Sequence, residues 1–483
     1  MPQRLPPALS CFVLLALAAC GGKEEARSPA AARAAEVVAL INSGDRAAAR
    51  DYIDESYATS FRDVAPTAQH LGILSDLHTQ RKGLRIERVA EPKPGTAEVL
   101  TRSDLTQDWL TIAVEVEPTP PHRITGMMFQ PAEAPAGRAA PAPRTDQERI
   151  QALDEFVRRQ AEADAFSGVV MLAKDGRPLF TAAYGEANKE ARRKNGLETA
   201  FNLASMNKMI TAVAVAQLVE AGKLSFDDPL SKFVPDFPNP RAAREIRIGH
   251  LLSHTAGLGS YLGPGISNSR AATVDEMLRY ARDSEPAFTP GSRWDYSNTG
   301  FLVLGKVIEK ASGESYFDYV RRHILAPAGM RSTDWYAKDR IPPAAAIGYD
   351  REYERGPGAY TSHLADLPYR GGPAGGGYST APDVLRFAEA FRTGKLVSPA
   401  MVRVLTTPKP ASPEYGYGFT VDAKRGIVGH SGGFQGTSTN MDIFLEDGYT
   451  AIVLSNYGRS GMSIVDRMRE LVRGPAAAAP GER

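Results

Sequence analysis

The sequence is almost free of thiols. Its 483 residues include two cysteines, Cys11 and Cys20, so from Gly21 onward no side chain can form a disulfide or act as a thiolate. An excess of one charge is also lacking: 57 Lys and Arg stand against 56 Asp and Glu, a formal net charge of +1. That balance excludes the basic footprint of a nucleic-acid binder, and no nucleic-acid partner is expected. The apolar stretch Ala8–Ala19 is 12 residues long, short of the roughly 20 that a bilayer span needs. What remains is an ordinary globular composition, 43% hydrophobic and 23% charged. At roughly 150 residues per domain it is enough for two or three units with cores of their own. Function has to be read from sites.

The N-terminus accounts for both cysteines. Ala8–Ala19 has the size of a signal-peptide core, with residues 1–19 as the signal. The alternative is an ordinary secretory signal with a chance cysteine. Leu17-Ala18-Ala19-Cys20-Gly21 resembles a bacterial lipobox. That resemblance implies diacylglycerol on Cys20, membrane attachment through it, and a periplasm-facing place in the cell envelope. Gly21 stands where an aspartate is associated with inner-membrane retention, so outer-membrane sorting is implied. Cys11 leaves with the signal.

Composition then divides the chain. A tether is expected over 20–33, and residues 131–145 hold four Pro and six Ala, a stiff spacer. Between them, 34–130 reads as a small α+β unit. A helix ends at Ser43-Gly44-Asp45, a second runs from Arg46 to about Phe61 and a third over Pro66–His78. Period-two alternation follows at Leu84 and Ile86 and at Leu110, Ile112, Val114 and Val116. The arrangement is similar to cystatin-like or NTF2-like modules, and nothing in it gathers catalytic residue types.

The larger unit spans 146–475, with a disordered tail expected over 476–483. Gly168–Ala173 and Leu179–Tyr184 read as strands around the turn Lys174-Asp175-Gly176-Arg177. Four more strands are expected at Tyr417–Val421, Gly426–His430, Thr439–Leu445 and Tyr449–Asn456, then a helix over Gly461–Val472. Strands at both ends around a helical middle predict one antiparallel sheet assembled from both chain ends, with an inserted helical lobe.

The chemistry lies in that middle. Ser205 and Lys208, at i and i+3 of an apolar helix, share a face. A serine hydroxyl needs a base to become nucleophilic, and a partly buried lysine can serve. Its pKa must fall by about 3 units from ~10.4, worth ~4 kcal/mol, and a helix dipole supplies at most ~2 kcal/mol. Desolvation or a second cation must do the rest. Ser-x-x-Lys alone is expected about once by chance in a chain of this length.

Order and context add what spacing cannot. Downstream come Tyr296-Ser297-Asn298 and His430-Ser431-Gly432-Gly433, with Leu251-Leu-Ser-His254-Thr-Ala-Gly257 and Pro373-Ala-Gly-Gly-Gly377 between. Over about 155–473 the chain resembles the serine β-lactamase and penicillin-binding family, in the branch of class C β-lactamases, D-Ala-D-Ala carboxypeptidases and related esterases. The resemblance implies an α/β (α+β) serine β-lactamase-like fold, no cofactor, and a small-molecule or peptide substrate. Ser205 would be acylated, Lys208 and Tyr296 would share the proton work, and Asn298 would donate to the substrate. The N–H groups of Ser205 and Gly433 would form an oxyanion hole, and His430 would stand at the edge of the site. Histidine in place of the lysine common there is mostly neutral at pH ~7. That favours esters or peptides over β-lactams bearing a carboxylate.

Several rival readings are testable. Gly429-His-Ser431-Gly-Gly433 fits a nucleophile elbow, but no histidine follows Ser431 to act as its base. His250 and His254, at i and i+4, lack a third ligand cluster and read as packing or turn residues, so no metal is expected. Gly375-Gly376-Gly377 is followed by no Lys-Ser/Thr and reads as an active-site wall. The reading is therefore an esterase or D-amino-acid peptidase of the cell envelope. A class C-like β-lactamase and a non-catalytic wall-binding module are the alternatives.

Overall fold

The computed structural model describes residues 28–132, 134–135, 138, 143–281, 285–352 and 359–474. The signal, Cys20, seven of the fifteen linker residues and the expected tail lie outside them.

Helix α1 (Pro29–Ser43) starts inside the stretch expected to be a tether, because the Ser28 side chain accepts from the Ala31 N–H and Pro29 fits the first turn. Gly44, at φ 65°, ends α1, and the Asp45 side chain caps α2 (Arg46–Ser56). α2 stops short of Phe61, and a separate turn of helix covers Thr59–Arg62. α3 (Thr67–Arg81) then leads to four strands: β1 (Leu84–Ala90), β2 (Thr96–Ser103), β3 (Trp109–Val116) and β4 (Ile124–Ala132). They form an antiparallel meander in chain order. Val38, Ile41, Ile53, Leu71, Val99, Ile112 and Val114 make its core. β4 runs to Ala132, into the stretch read as linker.

Thr145 opens the larger unit. Its side chain and that of Glu148 form a capping box on α4 (Asp146–Glu162). Six strands then make one antiparallel sheet: β5 (Gly168–Lys174), β6 (Arg177–Tyr184), β7 (Thr420–Asp422), β8 (Ile427–Phe434), β9 (Thr437–Phe444) and β10 (Tyr449–Ser455). Their spatial order is β7-β8-β9-β10-β5-β6. The two chain ends meet where β5 pairs with β10, Gly168 opposite Ser455 and Lys174 opposite Tyr449.

Both faces of the sheet are covered, and the strand period divides them. Val170 and Leu172 pack with Phe156 of α4 and with Ile464 and Met468 of the last helix, α8 (Met462–Arg473). Val169 and Met171 face the helical lobe, whose centre is α5 (Asn207–Glu220). Nearly every residue of α5 is buried, as expected of a helix apolar all round. α6 (Asn298–Ser312) and α7 (Ala381–Arg392) flank the lobe. No helix among the described residues is long and apolar enough to cross a membrane.

Candidate active site

Ser205 lies in the 3-10 turn Ala204–Met206 that feeds α5. The turn is clamped from two sides. Ala204 stands at φ 45°, in a region costly for a residue with a Cβ, and its N–H donates to Asn202 Oδ1 at 2.8 Å. The glycine run presses on its other side: Gly376 N–H donates to the Ala204 carbonyl at 3.3 Å, and Gly377 N–H donates to Asn207 Oδ1 at 2.6 Å. A Cβ on Gly375 would stand 2.8 Å from the Ala204 oxygen, so only glycine allows this approach.

Lys208 is fully buried. Its Nζ lies 3.1 Å from Ser205 Oγ, 2.9 Å from Asn298 Oδ1 and 2.7 Å from the Ala374 carbonyl. Burial holds the amine well below its ordinary pKa. A neutral amine has two N–H donors and one lone pair, which matches these partners: two carbonyl-type acceptors and one hydroxyl that can donate. The Tyr296 phenol is hydrogen-bonded to Ser205, and burial raises its pKa to about 12 against the lowering effect of that bond. The site therefore gathers an amine pushed towards its neutral form and a protonated phenol around one hydroxyl.

Tyr296 and Asn298 arrive together because Ser297 caps α6. Its side chain accepts from Gly300 N–H and donates to the Gly259 carbonyl, both at 2.9 Å. Asn298 Nδ2 donates to Ser260 Oγ at 3.2 Å while its oxygen accepts from Lys208 Nζ.

β8 forms the far wall. β7 pairs only with Ile427–Gly429, which leaves Ser431–Phe434 without a neighbouring strand on that side. Gly432 lies directly on the serine turn, and its missing Cβ would stand 2.2 Å from the Leu203 carbonyl. Gly433, by contrast, borders open space and lines the same cavity as Ser205 and Asn298.

His430, expected at the edge of the site, is set behind it. It is 3% exposed, with Nδ1 donating to the Ser431 carbonyl at 2.5 Å and Nε2 accepting from Tyr415 Oη at 2.9 Å. Burial, with Lys208 adding to it, lowers its pKa to about 3. The reason is strand alternation: His430 points to the packed face, whereas Ser431 and Gly433 are exposed. Ser431 sits mid-strand opposite Asn440, not on a strand-to-helix elbow. His254 is fully buried, its Nδ1 accepting from Ser297 N–H at 3.0 Å and its ring lying 4.3 Å from that of Tyr296. His250 Nδ1 takes the Arg247 N–H instead, so the two histidines serve different turns.

Three participants were missed by sequence reasoning: the Ala374 carbonyl, Ser260 and Tyr415. The first is a main-chain atom, invisible to any residue-type pattern. Ser260 and Tyr415 reach the site only through tertiary packing.

Comparison with known proteins agrees with this geometry. The family model Beta-lactamase matches residues 153–472. A putative penicillin-binding protein, PbpX of Bacillus subtilis, is 31% identical over 64% of this chain and 76% of its own. Esterase EstB of Burkholderia gladioli is 32% identical over 70% of this chain and 96% of its own. A D-stereospecific amidohydrolase from Streptomyces superposes with a TM-score of 0.55 at 28% identity, over 68% of this chain and 98% of that one. The chain belongs to the β-lactamase family, and with that family's fold it is a serine hydrolase of the β-lactamase and penicillin-binding superfamily.

Proposed function

We propose that the protein hydrolyses an ester or a D-amino-acid peptide through an acyl-enzyme on Ser205. The observation that carries this reading is the buried Lys208 amine, 3.1 Å from Ser205 Oγ and hydrogen-bonded otherwise to neutral oxygens. Lys208 takes the Ser205 proton as Oγ attacks the substrate carbonyl. Tyr296, protonated at neutral pH, is the donor that meets the departing alcohol or amine. The N–H groups of Ser205 and Gly433 bind the oxyanion, at a typical ~3 kcal/mol per donor. Asn298 holds the Lys208 amine in place.

The relatives named as an esterase and as a D-stereospecific amidohydrolase support this substrate range. The neutral His430 speaks against a class C-like β-lactamase, since it puts no cation at the one position where a lysine is common in such enzymes. Within the same reading, Cys20 anchors the chain to the envelope, facing the periplasm, and residues 34–130 act as a spacer or binding module of cystatin-like or NTF2-like form.

The test is a fluorophosphonate applied to the protein from Gly21 onward, followed by intact mass and peptide mapping. A single adduct on Ser205, lost in Lys208→Ala, is expected. An adduct on Ser431, or none, overturns the reading. Turnover of short aryl esters well above turnover of nitrocefin is expected, and the reverse order would install the β-lactamase.

A further inference from the structure

The cavity in front of Ser205 carries a charge pattern that the acyl-enzyme chemistry does not use. Its body is apolar, walled by Tyr261, Leu262, Ile341, Leu367 and Phe434. Two cations, Lys338 and Arg370, also line it, and among the described residues no Asp or Glu does. An antiparallel bridge between Ala337 and Arg370 brings their two segments together at the cavity.

Among the described residues neither cation forms an ion pair with a carboxylate. Lys338 Nζ donates to the Ala365 carbonyl at 2.7 Å. Arg370 donates through Nε to the Trp335 carbonyl at 2.9 Å and through Nη1 to the Ala272 carbonyl at 3.1 Å, with its guanidinium 3.6 Å over the Phe317 ring. The carboxylates that act on them from a distance, Asp366 on Lys338 and Asp334 and Asp318 on Arg370, are bonded to other side chains. Asp366 is held by His363 Nδ1 at 2.7 Å, and Asp334 and Asp318 by Arg321 at 2.9 and 3.1 Å. Burial lowers the pKa of both cations, the direction expected of charges taken out of water.

We propose that Lys338 and Arg370 make this cavity select an apolar ester that carries a carboxylate and reject substrates that carry a free ammonium. The inference rests on the acyl-enzyme reading of Ser205 and deepens it. An apolar cleft lined by one sign of charge focuses its field and attracts the opposite charge. An α-ammonium placed there would be desolvated beside two cations with no acid to receive it.

The test is a charge series of 4-nitrophenyl esters of similar length: pentanoate, the glutarate monoester and 4-aminobutyrate. A second series puts the charge on the leaving phenol, which tells the two halves of the substrate apart. The expected result in one series is kcat/KM about tenfold higher for the anion than for the neutral ester, and about tenfold lower for the cation. The anion-to-neutral ratio should fall towards one in Lys338→Gln, mainly through KM, and recover in Lys338→Arg, with melting temperature confirming that each variant is folded. Cationic esters turned over as well as neutral ones, or an anion preference that survives both Lys338→Gln and Arg370→Gln, would overturn the proposal. Ester turnover with Ser205 unlabelled by fluorophosphonate would overturn the acyl-enzyme reading instead.

Discussion

Lys208 decides how the chemistry depends on pH. Its amine is held well below the ordinary lysine range by burial, and the neutral form is the base. kcat/KM should therefore rise with pH along an acid limb and then level off. Loss of the Tyr296 proton comes only at about 12, above the assay range. A rate that falls as pH rises from about 8 to about 10 would assign the work to an ammonium instead. His430 carries a second, separate consequence. Its folded pKa, about 3, lies below the unfolded value. The unfolded chain thus binds the extra proton, and stability is lost as pH falls from about 6.5 towards 3, at up to about 1.4 kcal/mol per pH unit. His254, also held low by burial, acts in the same direction. Urea midpoints between about pH 7 and 5 should show the loss, and His430→Asn should make it shallower.

At the scale of elements, the site depends on how closely β8 lies on the serine turn. In Gly432→Ala the new Cβ would meet the Leu203 carbonyl at 2.2 Å and Thr439 Oγ1 at 2.4 Å. The strand must move away from Ser205, and acylation should fall at least a hundredfold at a stability cost of about 1–3 kcal/mol. Gly433→Ala meets nothing within 4 Å, so its melting temperature should match that of the unaltered protein. Equal losses of acylation and stability in both variants would show that the strand's close approach is not what positions the turn.

Across the whole molecule, the catalytic sheet is closed by its last helix. α8 puts Arg469 on the buried Asp442 of β9, with Nε at 2.6 Å and Nη2 at 3.1 Å. Arg469→Leu would leave that carboxylate buried and unpaired, and a loss of about 3–5 kcal/mol in urea unfolding is expected. The small α+β unit should be untouched by this change, because its core, built around Ile53, Val99 and Ile112, is a separate cluster.

The sequence by itself determined the order of the elements. Short apolar runs such as Gly168–Ala173 and Tyr449–Asn456, the turn at Asp175-Gly176 and the stop at Ser43-Gly44-Asp45 act locally, so local pattern was enough to read them. The i, i+3 spacing of Ser205 and Lys208 was local too. Boundaries were less legible: α1 begins at Pro29 and β4 ends at Ala132, both inside stretches whose composition read as tether and linker. Composition averages over a window, whereas a single Ser28 cap fixes where a helix starts. Only the tertiary structure decided the protonation states and the walls of the site. Burial of Lys208 depends on all its neighbours together, and the Ala374 carbonyl carries no residue-type signal. His430 faces inward because strand register sets which alternate residues point to the core, and Lys338 and Arg370 both reach the cavity because distant segments pair. These are non-local facts, and desolvation and field depend on them rather than on residue identity.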